Sequence, residues 1–253
     1  IDMFGTRNYF TKYMLKHILN KADFIETPDK TTKEFLVRKY KIKEQKVDFP
    51  YWGIKTTEFE PLKIKKSIDI AYLRKSSEKY STDTFVQAMN LIKKEIPEFN
   101  SILIRKEGYA KVENMIKKYN LDKNINTLKW ANHNEMPLLL NSSLIYVDSF
   151  HRNVPGGGMG ITAMEAMSCG LPVVLANNPG VSDYVKHDYN GLLYDGGNYK
   201  QLAECVIKLL KNKKLRDRLG KNARKTVIEE LNWEKISKKM EDKYYELLDR
   251  HDF

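Results

Sequence analysis

Short apolar segments alternate with helix-patterned segments along this chain. From residue 67 onward, five apolar segments have the length of strands: 67–73, 101–104, 126–130, 144–147 and 172–175. Segments whose apolar residues recur at helical spacing lie between and after them, among them 82–95, 111–119 and 160–168. Strands that alternate with helices pair in parallel and are covered by helices on both faces. The order therefore predicts an α/β fold, a Rossmann-like doubly wound parallel sheet.

A shorter series of the same kind occupies the first 56 residues. It holds two helix patterns and two strand patterns: 9–21, 23–27, 31–40 and 47–49. We expect a threonine cap at the start of its second helix. The sequence Pro50-Tyr51-Trp52-Gly53 then interrupts the pattern, which places a domain boundary near Thr56. The prediction is a remnant of a second Rossmann-like domain in 1–56, one full domain in 57–230, and an amphipathic helix in 231–253 that packs back toward the N-terminal part.

The chain carries a formal net charge of +11, with 44 lysines and arginines against 33 acidic residues. Nucleic acid, an anionic membrane surface and phosphorylated substrates each attract such a chain. Solvated helix faces explain the same excess, because the lysines are spread along the sequence and no nucleic-acid-binding motif accompanies them. We therefore expect no nucleic-acid partner, and a peripheral membrane association stays an alternative to a solvated surface.

No apolar run approaches the roughly 18 residues that span a bilayer. The two cysteines, Cys169 and Cys205, do not form a CxxC pair, so they indicate neither a metal site nor a disulfide framework. A reducing cytoplasmic setting, extending to the inner face of the membrane, is the expected location.

A glycine-rich turn leads into a helix in the middle of the second series. Gly156–Gly158, Met159 and Gly160 follow the strand that ends near Ser149, and residues 161–167 continue as a helix. Backbone N–H groups at such a turn, together with the positive end of the helix dipole, form an anion site. A plain surface turn has the same glycines, but the order strand, turn, helix and strand is the one at which open α/β sheets bind ligands.

Glu165 is the one carboxylate of this short helix and stands between Met164 and Ala166. A charged residue among apolar neighbours needs a partner or a ligand. A ribose diol is a natural ligand, because an ionised carboxylate accepts hydrogen bonds from two hydroxyl groups. The alternative is an ordinary glutamate on the helix surface.

The run from Gly158 to Val174 resembles the signature of retaining GT-B glycosyltransferases of the mannosyltransferase and sucrose-synthase group. In that family the signature contains Glu-Ala-Met-Ala-Cys-Gly-x-Pro-Val, and here it reads Glu-Ala-Met-Ser-Cys-Gly-Leu-Pro-Val. Further matches cover nearly the whole chain in order, at 50–61, 71–79, 178–194 and 233–234. The resemblance implies a GT-B fold whose C-terminal domain binds a nucleoside-diphosphate sugar.

The resemblance also implies which residues hold the donor diphosphate. Arg74 and Lys79 would neutralise the leaving group as its charge grows. Surface charge at the end of a strand is the alternative for both. Backbone amides and one hydroxyl of the glycine turn would complete this part of the site: Gly158, Met159, Gly160, Ile161 and Thr162.

In the same resemblance, Glu165 binds the ribose hydroxyls and backbone groups near Trp130 and Ala131 meet the base. Family members need no metal ion or other cofactor, and this chain has no Asp-x-Asp pair that would hold Mg²⁺ or Mn²⁺. The family usually has a second glutamate at the donor sugar, where this chain has Gly157. Sugar contacts from backbone amides, a shifted loop and an inactive homologue are the alternatives.

Residues 1–56 match only the final helices and strands of the family's N-terminal, acceptor-binding domain. No catalytic residue is assigned for that reason, and His133 and His151 are loop candidates whose alternative is a solvated histidine. The leading hypothesis is transfer of a hexose from a UDP- or GDP-linked sugar to a glycan or lipid-linked acceptor, with retention. The alternatives are a non-catalytic nucleotide-sugar-binding homologue or partner subunit, and a basic nucleic-acid-binding protein.

Overall fold

The computed structural model describes residues 9–49, 52–75, 81–104, 110–150 and 160–249. Its N-terminal part contains α1 (Tyr9–Lys21), β1 (Ile25–Glu26), α2 (Lys30–Tyr40) and β2 (Val47–Asp48). The two short strands pair in parallel. Leu36 and Tyr40 of α2 pack with Val47 in a small apolar core. The two helices predicted for this part are both present, and the predictions are confirmed.

Asp29 caps α2, in place of the predicted threonine. Its carboxylate accepts a hydrogen bond from the backbone N–H of Thr32 at 2.7 Å. The first N–H groups of a helix have no intrahelical acceptor, and an aspartate before the first turn supplies one while also meeting the positive end of the dipole. The helix therefore begins one residue earlier than predicted, at Lys30.

A six-stranded parallel sheet forms the centre of the larger part. Its strands are β3 (Ile68–Tyr72), β4 (Ser101–Ile104), β5 (Ile125–Leu128), β6 (Ser143–Asp148), β7 (Val173–Ala176) and β8 (Leu192–Tyr194). They lie in the order β5-β4-β3-β6-β7-β8. The chain thus builds outward from β3 in one direction and from β6 in the other, which confirms the predicted doubly wound sheet.

Helices cover both faces of this sheet. They are α3 (Thr82–Glu95), α4 (Ala110–Lys118), α5 (Met136–Asn141), α6 (Ile161–Ser168), α7 (Val181–Tyr184), α8 (Tyr199–Lys211) and α9 (Lys213–Glu230); the last helix, α10 (Trp233–Asp249), follows them. Because side chains alternate along a strand, Ile70 and Tyr72 of β3 join the core under α3, α4 and α8. Ala71 and Leu73 join the opposite core, under α5, α6 and α9.

The chain returns to its N-terminal part through the last helix. Ile54 N donates to Leu231 O and Trp233 N donates to Ile54 O, at 2.8 and 3.1 Å. A Cβ at Gly53 would lie 2.4 Å from Trp233 Cα, so only glycine lets these two backbones meet. Further along α10, the Tyr244 hydroxyl donates to Glu26 Oε1 at 2.5 Å. The domain limits predicted from the sequence stay predictions.

Within the described part of the chain, no helix combines the length and the apolar character that crossing a bilayer requires.

Candidate functional site

The carboxyl ends of β3 and β6 lie side by side where the strand order reverses. These neighbouring strands pair with Ala71 opposite Tyr146. In open α/β sheets, ligands bind in the crevice outside the strands at this point. Arg74 follows β3, and Gly160 lies directly before α6, the helix that follows β6. Arg74, Gly160 and Asp148 line one small pocket at this junction. The structure thus brings Arg74 to the start of α6, as the sequence predicts.

Arg74 is ion-paired with Asp148, which overturns its interpretation as a plain surface charge. Its Nε and Nη2 both donate to Asp148 Oδ2, at 2.8 and 2.6 Å. Asp148 Oδ1 accepts from Phe150 N at 2.9 Å, and the Arg74 guanidinium lies 5.0 Å from the centre of the Phe150 ring. Although burial disfavours the charged form, the adjacent Asp148 carboxylate raises the net pKa of Arg74, which therefore stays charged.

The N-terminus of α6 opens into the same pocket. Gly160 has φ +64°, a left-handed conformation in which a Cβ would lie 3.1 Å from the Tyr184 hydroxyl. Its carbonyl accepts the first hydrogen bonds of the helix, from Ala163 N and Met164 N. The N–H groups of Ile161 and Thr162 precede these donors, at the positive end of the helix dipole. Such an end attracts phosphate oxygens.

Glu165 is buried, with 6% of its surface exposed, so its interpretation as an ordinary surface glutamate is wrong. The residues that the structure describes form no hydrogen bond or ion pair to its carboxylate, whose oxygens are not among the side-chain atoms fully enclosed without a partner. The pKa of Glu165 is raised to about 7, chiefly by burial; the charge of His133 lowers it and that of Glu58 raises it. A buried carboxylate without a donor is costly, and a ligand with hydroxyl groups would relieve that cost.

His133 stands near this carboxylate and is itself paired. Its Nε2 lies 3.2 Å from Glu58 Oε1, and its ring packs edge-on against Phe59 at a centroid distance of 5.4 Å. The side chain is largely exposed, as expected for a loop histidine. On the same side of the sheet Trp130 is 65% exposed, with Lys75 Nζ 5.9 Å from its ring centre. An exposed aromatic ring beside the carboxyl edge of a sheet is a surface on which a base can stack.

Buried tyrosines surround Asp148, and the sequence analysis missed this cluster. The charge of Asp148 contributes to a raised pKa at four of them: Tyr72, Tyr146, Tyr184 and Tyr194. Tyr146 is fully buried, and its hydroxyl has no hydrogen-bond partner among the described residues. The signal that could have found the cluster is the polar residue at the end of β6, because strand ends at this edge face the ligand crevice.

Five of the candidate site residues predicted from the sequence lie outside the described part of the chain: Lys79, His151, Gly157, Gly158 and Met159. Their predicted roles stay predictions. In the described part, no group of three or more His, Cys, Asp and Glu side chains is arranged to hold a metal ion.

A sequence model of the family described as glycosyl transferases group 1 matches residues 54–226. An uncharacterised glycosyltransferase from Methanocaldococcus jannaschii is 24% identical over 241 residues, which cover 91% of this chain and 60% of that protein. N-acetyl-alpha-D-glucosaminyl L-malate synthase from Bacillus anthracis is 34% identical over 89 residues, 35% of this chain and 23% of that enzyme. The chain thus spans less than two thirds of the length of these relatives.

Solved structures share the fold. Sucrose-phosphate synthase from Thermosynechococcus elongatus has a TM-score of 0.79 at 21% identity, over 98% of this chain and 64% of that one. Anabaena HepE in complex with UDP has a TM-score of 0.84 at 16% identity, over 95% of this chain and 69% of that one. These likenesses show that the sheet and its helices have the Rossmann-like arrangement of GT-B glycosyltransferases.

Proposed function

This chain belongs to the glycosyl transferases group 1 family, and from that membership we propose that its parallel sheet carries the donor site of a retaining hexosyltransferase. The donor is a UDP- or GDP-linked sugar, and the acceptor is a glycan or a lipid-linked molecule. No metal ion takes part in this proposal. The acceptor is bound by the whole protein, of which this chain supplies the donor half.

The observation that carries the proposal is the state of Glu165. Glu165 is a buried residue of α6, and the described residues provide no hydrogen bond or ion pair to its carboxylate. A ribose diol supplies two O–H donors to one carboxylate, and hydrogen bonds to a charged acceptor are the stronger kind. Glu165 is therefore proposed to bind the ribose of the donor nucleotide.

The diphosphate then falls between Arg74 and the start of α6. Arg74 contributes a permanent positive charge, and the amides of Gly160, Ile161 and Thr162 contribute the positive end of the helix dipole. Both stabilise the negative charge that grows on the nucleoside diphosphate as the glycosidic bond breaks. Lys79 and the amides of 157–159, outside the described residues, are proposed to complete the diphosphate and sugar contacts.

The base is proposed to lie over the loop that follows β5, near Trp130 and Ala131. The similar proteins differ in the nucleotide that their names or structures mention. HepE was solved with UDP, whereas a mannosyltransferase of Mycobacterium tuberculosis, 31% identical over 85 residues that cover 34% of this chain and 22% of that enzyme, is named as GDP-mannose-dependent. Both nucleotides therefore enter the test.

Calorimetric titration of the chain with UDP, GDP and ADP tests the donor site. We expect one nucleotide to bind with micromolar affinity, and Glu165→Ala and Arg74→Ala each to weaken it at least tenfold. The matched controls are Glu229→Ala and Arg218→Ala, which remove exposed charges on α9. A folded chain that binds none of the three nucleotides contradicts the proposal.

Gly157 favours a second function, a non-catalytic nucleotide-sugar-binding homologue or partner subunit. The family usually places a glutamate at the donor sugar in this position, and this chain has glycine. Donor hydrolysis and transfer by the whole protein separate the two functions. Transfer that keeps the configuration at the anomeric carbon, read by NMR of the product, supports the enzyme, whereas nucleotide binding without hydrolysis or transfer supports the homologue.

A further inference from the structure

The Tyr146 hydroxyl is a buried polar group without a hydrogen-bond partner. Tyr146 is fully buried in β6. Among the described residues, its hydroxyl oxygen is one of two buried side-chain atoms that form no hydrogen bond. Leaving a hydroxyl buried and unpaired destabilises a fold by about 1–3 kcal/mol. Because most buried polar groups in folded proteins are hydrogen-bonded, this exception calls for an explanation.

Tyr146 lies on the same strand face as Asp148, close enough for the charge of Asp148 to act on its hydroxyl. Tyr146 and Asp148 are two residues apart on β6, so their side chains leave the same face of the sheet. The neighbouring strands confirm the register, because Tyr146 lies opposite Ala71 on β3 and Asp148 opposite Leu175 on β7. Strand side chains lean along the strand, and a tyrosine is long enough to reach the carboxylate of the second residue along.

Asp148 already has a partner in this structure. Arg74 Nε and Nη2 both donate to Oδ2, and Oδ1 accepts from Phe150 N. Arg74 is also the residue proposed to hold the donor diphosphate. If its guanidinium turned to a phosphate with nothing in its place, the buried carboxylate would lose its counter-charge, which is strongly unfavourable.

We propose that Tyr146 is a positioning residue of the donor site. When Arg74 turns from Asp148 to the diphosphate, the Tyr146 hydroxyl donates to the Asp148 carboxylate in its place. This exchange leaves Asp148 satisfied in both states and lowers the cost of releasing Arg74. The inference rests on the proposed function, because it needs a diphosphate that competes with Asp148 for Arg74.

Tyr146→Phe tests the exchange, because it removes the hydroxyl and keeps the ring. The probes are UDP and UMP, or GDP and GMP if guanine is preferred. We expect the Kd for the diphosphate to rise about tenfold, the value of one hydrogen bond to a charged acceptor, and the Kd for the monophosphate to change less than twofold. The melting temperature of the empty protein should stay the same or rise, because an unpaired hydroxyl is lost.

Tyr194→Phe is the matched control. Tyr194 is buried beside the same aspartate, but its hydroxyl donates to the main-chain oxygen of Asp148 at 3.4 Å. Its removal should therefore leave the ratio of diphosphate to monophosphate affinity unchanged. Equal weakening of both nucleotides by Tyr146→Phe, or no weakening of either, overturns the inference while the proposed function stands. If the wild-type chain binds neither, both fail.

A double-mutant cycle gives a second, independent reading. In Asp148→Ala the acceptor that Tyr146 is proposed to serve is gone, so adding Tyr146→Phe should change the diphosphate affinity less than twofold. A tenfold loss on adding Tyr146→Phe to Asp148→Ala would show that the hydroxyl acts on another group, and it would overturn the proposed exchange.

Discussion

Arg74 donates from two nitrogens to a single oxygen of Asp148, at 2.8 and 2.6 Å, across the junction of β3 and β6. The other carboxylate oxygen accepts from Phe150 N at 2.9 Å. The Asp148 side chain is 6% exposed and that of Arg74 is 21% exposed. A carboxylate held this way serves two purposes, because it fixes the guanidinium at the ligand edge and ties down the chain that leaves β6.

Asp148→Asn should destabilise the protein by about 2–3 kcal/mol. Arg74 and Phe150 N donate to different oxygens of Asp148, and an amide has an acceptor oxygen at only one of these two positions. Denaturation in guanidinium chloride measures the free energy of unfolding. The control is Asp188→Asn, whose exposed pair with Arg218 is 3.2 Å long and should change stability by about 0.5 kcal/mol or less. Equal losses in both variants would contradict the special role of Asp148.

Glu165→Gln should stabilise the empty protein at pH 8 by about 2 kcal/mol. The folded pKa of Glu165 is about 7, above its ordinary value of 4.5. Between these values the folded state keeps a proton that the unfolded chain releases, so this contribution to stability falls as pH rises through the window. The advantage of the glutamine variant should therefore shrink toward pH 4.5, which unfolding curves at several pH values measure. A constant difference at every pH would rule out this account.

Nucleotide affinity should also depend on the ionisation of Glu165, and it should increase as pH rises. The ribose hydroxyls donate to the ionised carboxylate. Below pH 7 the Glu165 carboxyl group is mostly protonated, so it must release a proton when the nucleotide binds. We expect affinity to increase with pH up to about 7 and then level off. Phosphate groups also titrate near this range, so Glu165→Gln is the control: it keeps the phosphate effect and should lose the rest. Identical pH profiles of affinity for the wild type and Glu165→Gln would contradict a role of Glu165 in nucleotide binding.

The sheet could be predicted from the sequence because its signals are local. The helix at 82–95 and the strand at 101–104 have the same limits in the structure, since each carries its own apolar pattern between polar turns. β8 has only three residues, too few to show a period, and it pairs with β7 through tertiary packing. Only the family resemblance covers this part of the chain.

The site could be predicted in part. Glu165 and Arg74 stand in recognisable positions; the structure brings Arg74 to the start of α6 and buries Glu165, and their roles in binding stay predictions. Asp148 and Tyr146 carry no signal of their relation to Arg74, because it depends on the register of two strands that are about 70 residues apart in the chain. The pairing of His133 with Glu58 likewise joins a loop to a distant turn.

Gly220→Ala should destabilise the protein by about 3 kcal/mol, although alanine is the better helix former. A Cβ at this position in α9 would lie 2.2 Å from the carbonyl oxygen of Gly170, a backbone atom that cannot turn aside. The control is Gly197→Ala, where φ is +81° and no heavy atom lies within 4 Å. There only backbone strain is expected, about 1 kcal/mol. Thermal unfolding of both variants checks the order, and a larger loss at Gly197 would contradict it.

Arg224→Lys should lower the free energy of unfolding by about 1–2 kcal/mol, because one guanidinium joins two separate segments. Its Nη1 donates to Phe59 O at 2.9 Å and to Ser168 O at 2.7 Å, which ties the turn after Ile54 to the end of α6. A lysine ammonium is a single point and cannot span both. Arg218→Lys, on the exposed face of the same helix, should change stability by less than about 0.5 kcal/mol.

Substitution of Arg224 should also affect the proposed donor site. The wild-type side chain joins the turn that carries Glu58 to the helix that carries Glu165. If Arg224 holds these two parts together, Arg224→Lys should weaken nucleotide binding two- to fivefold while Arg218→Lys leaves it unchanged. Calorimetry at a temperature where both variants remain folded measures this. A loss of stability with unchanged affinity would mean that the helix keeps Glu165 in place without the turn, and that Arg224 serves the fold alone.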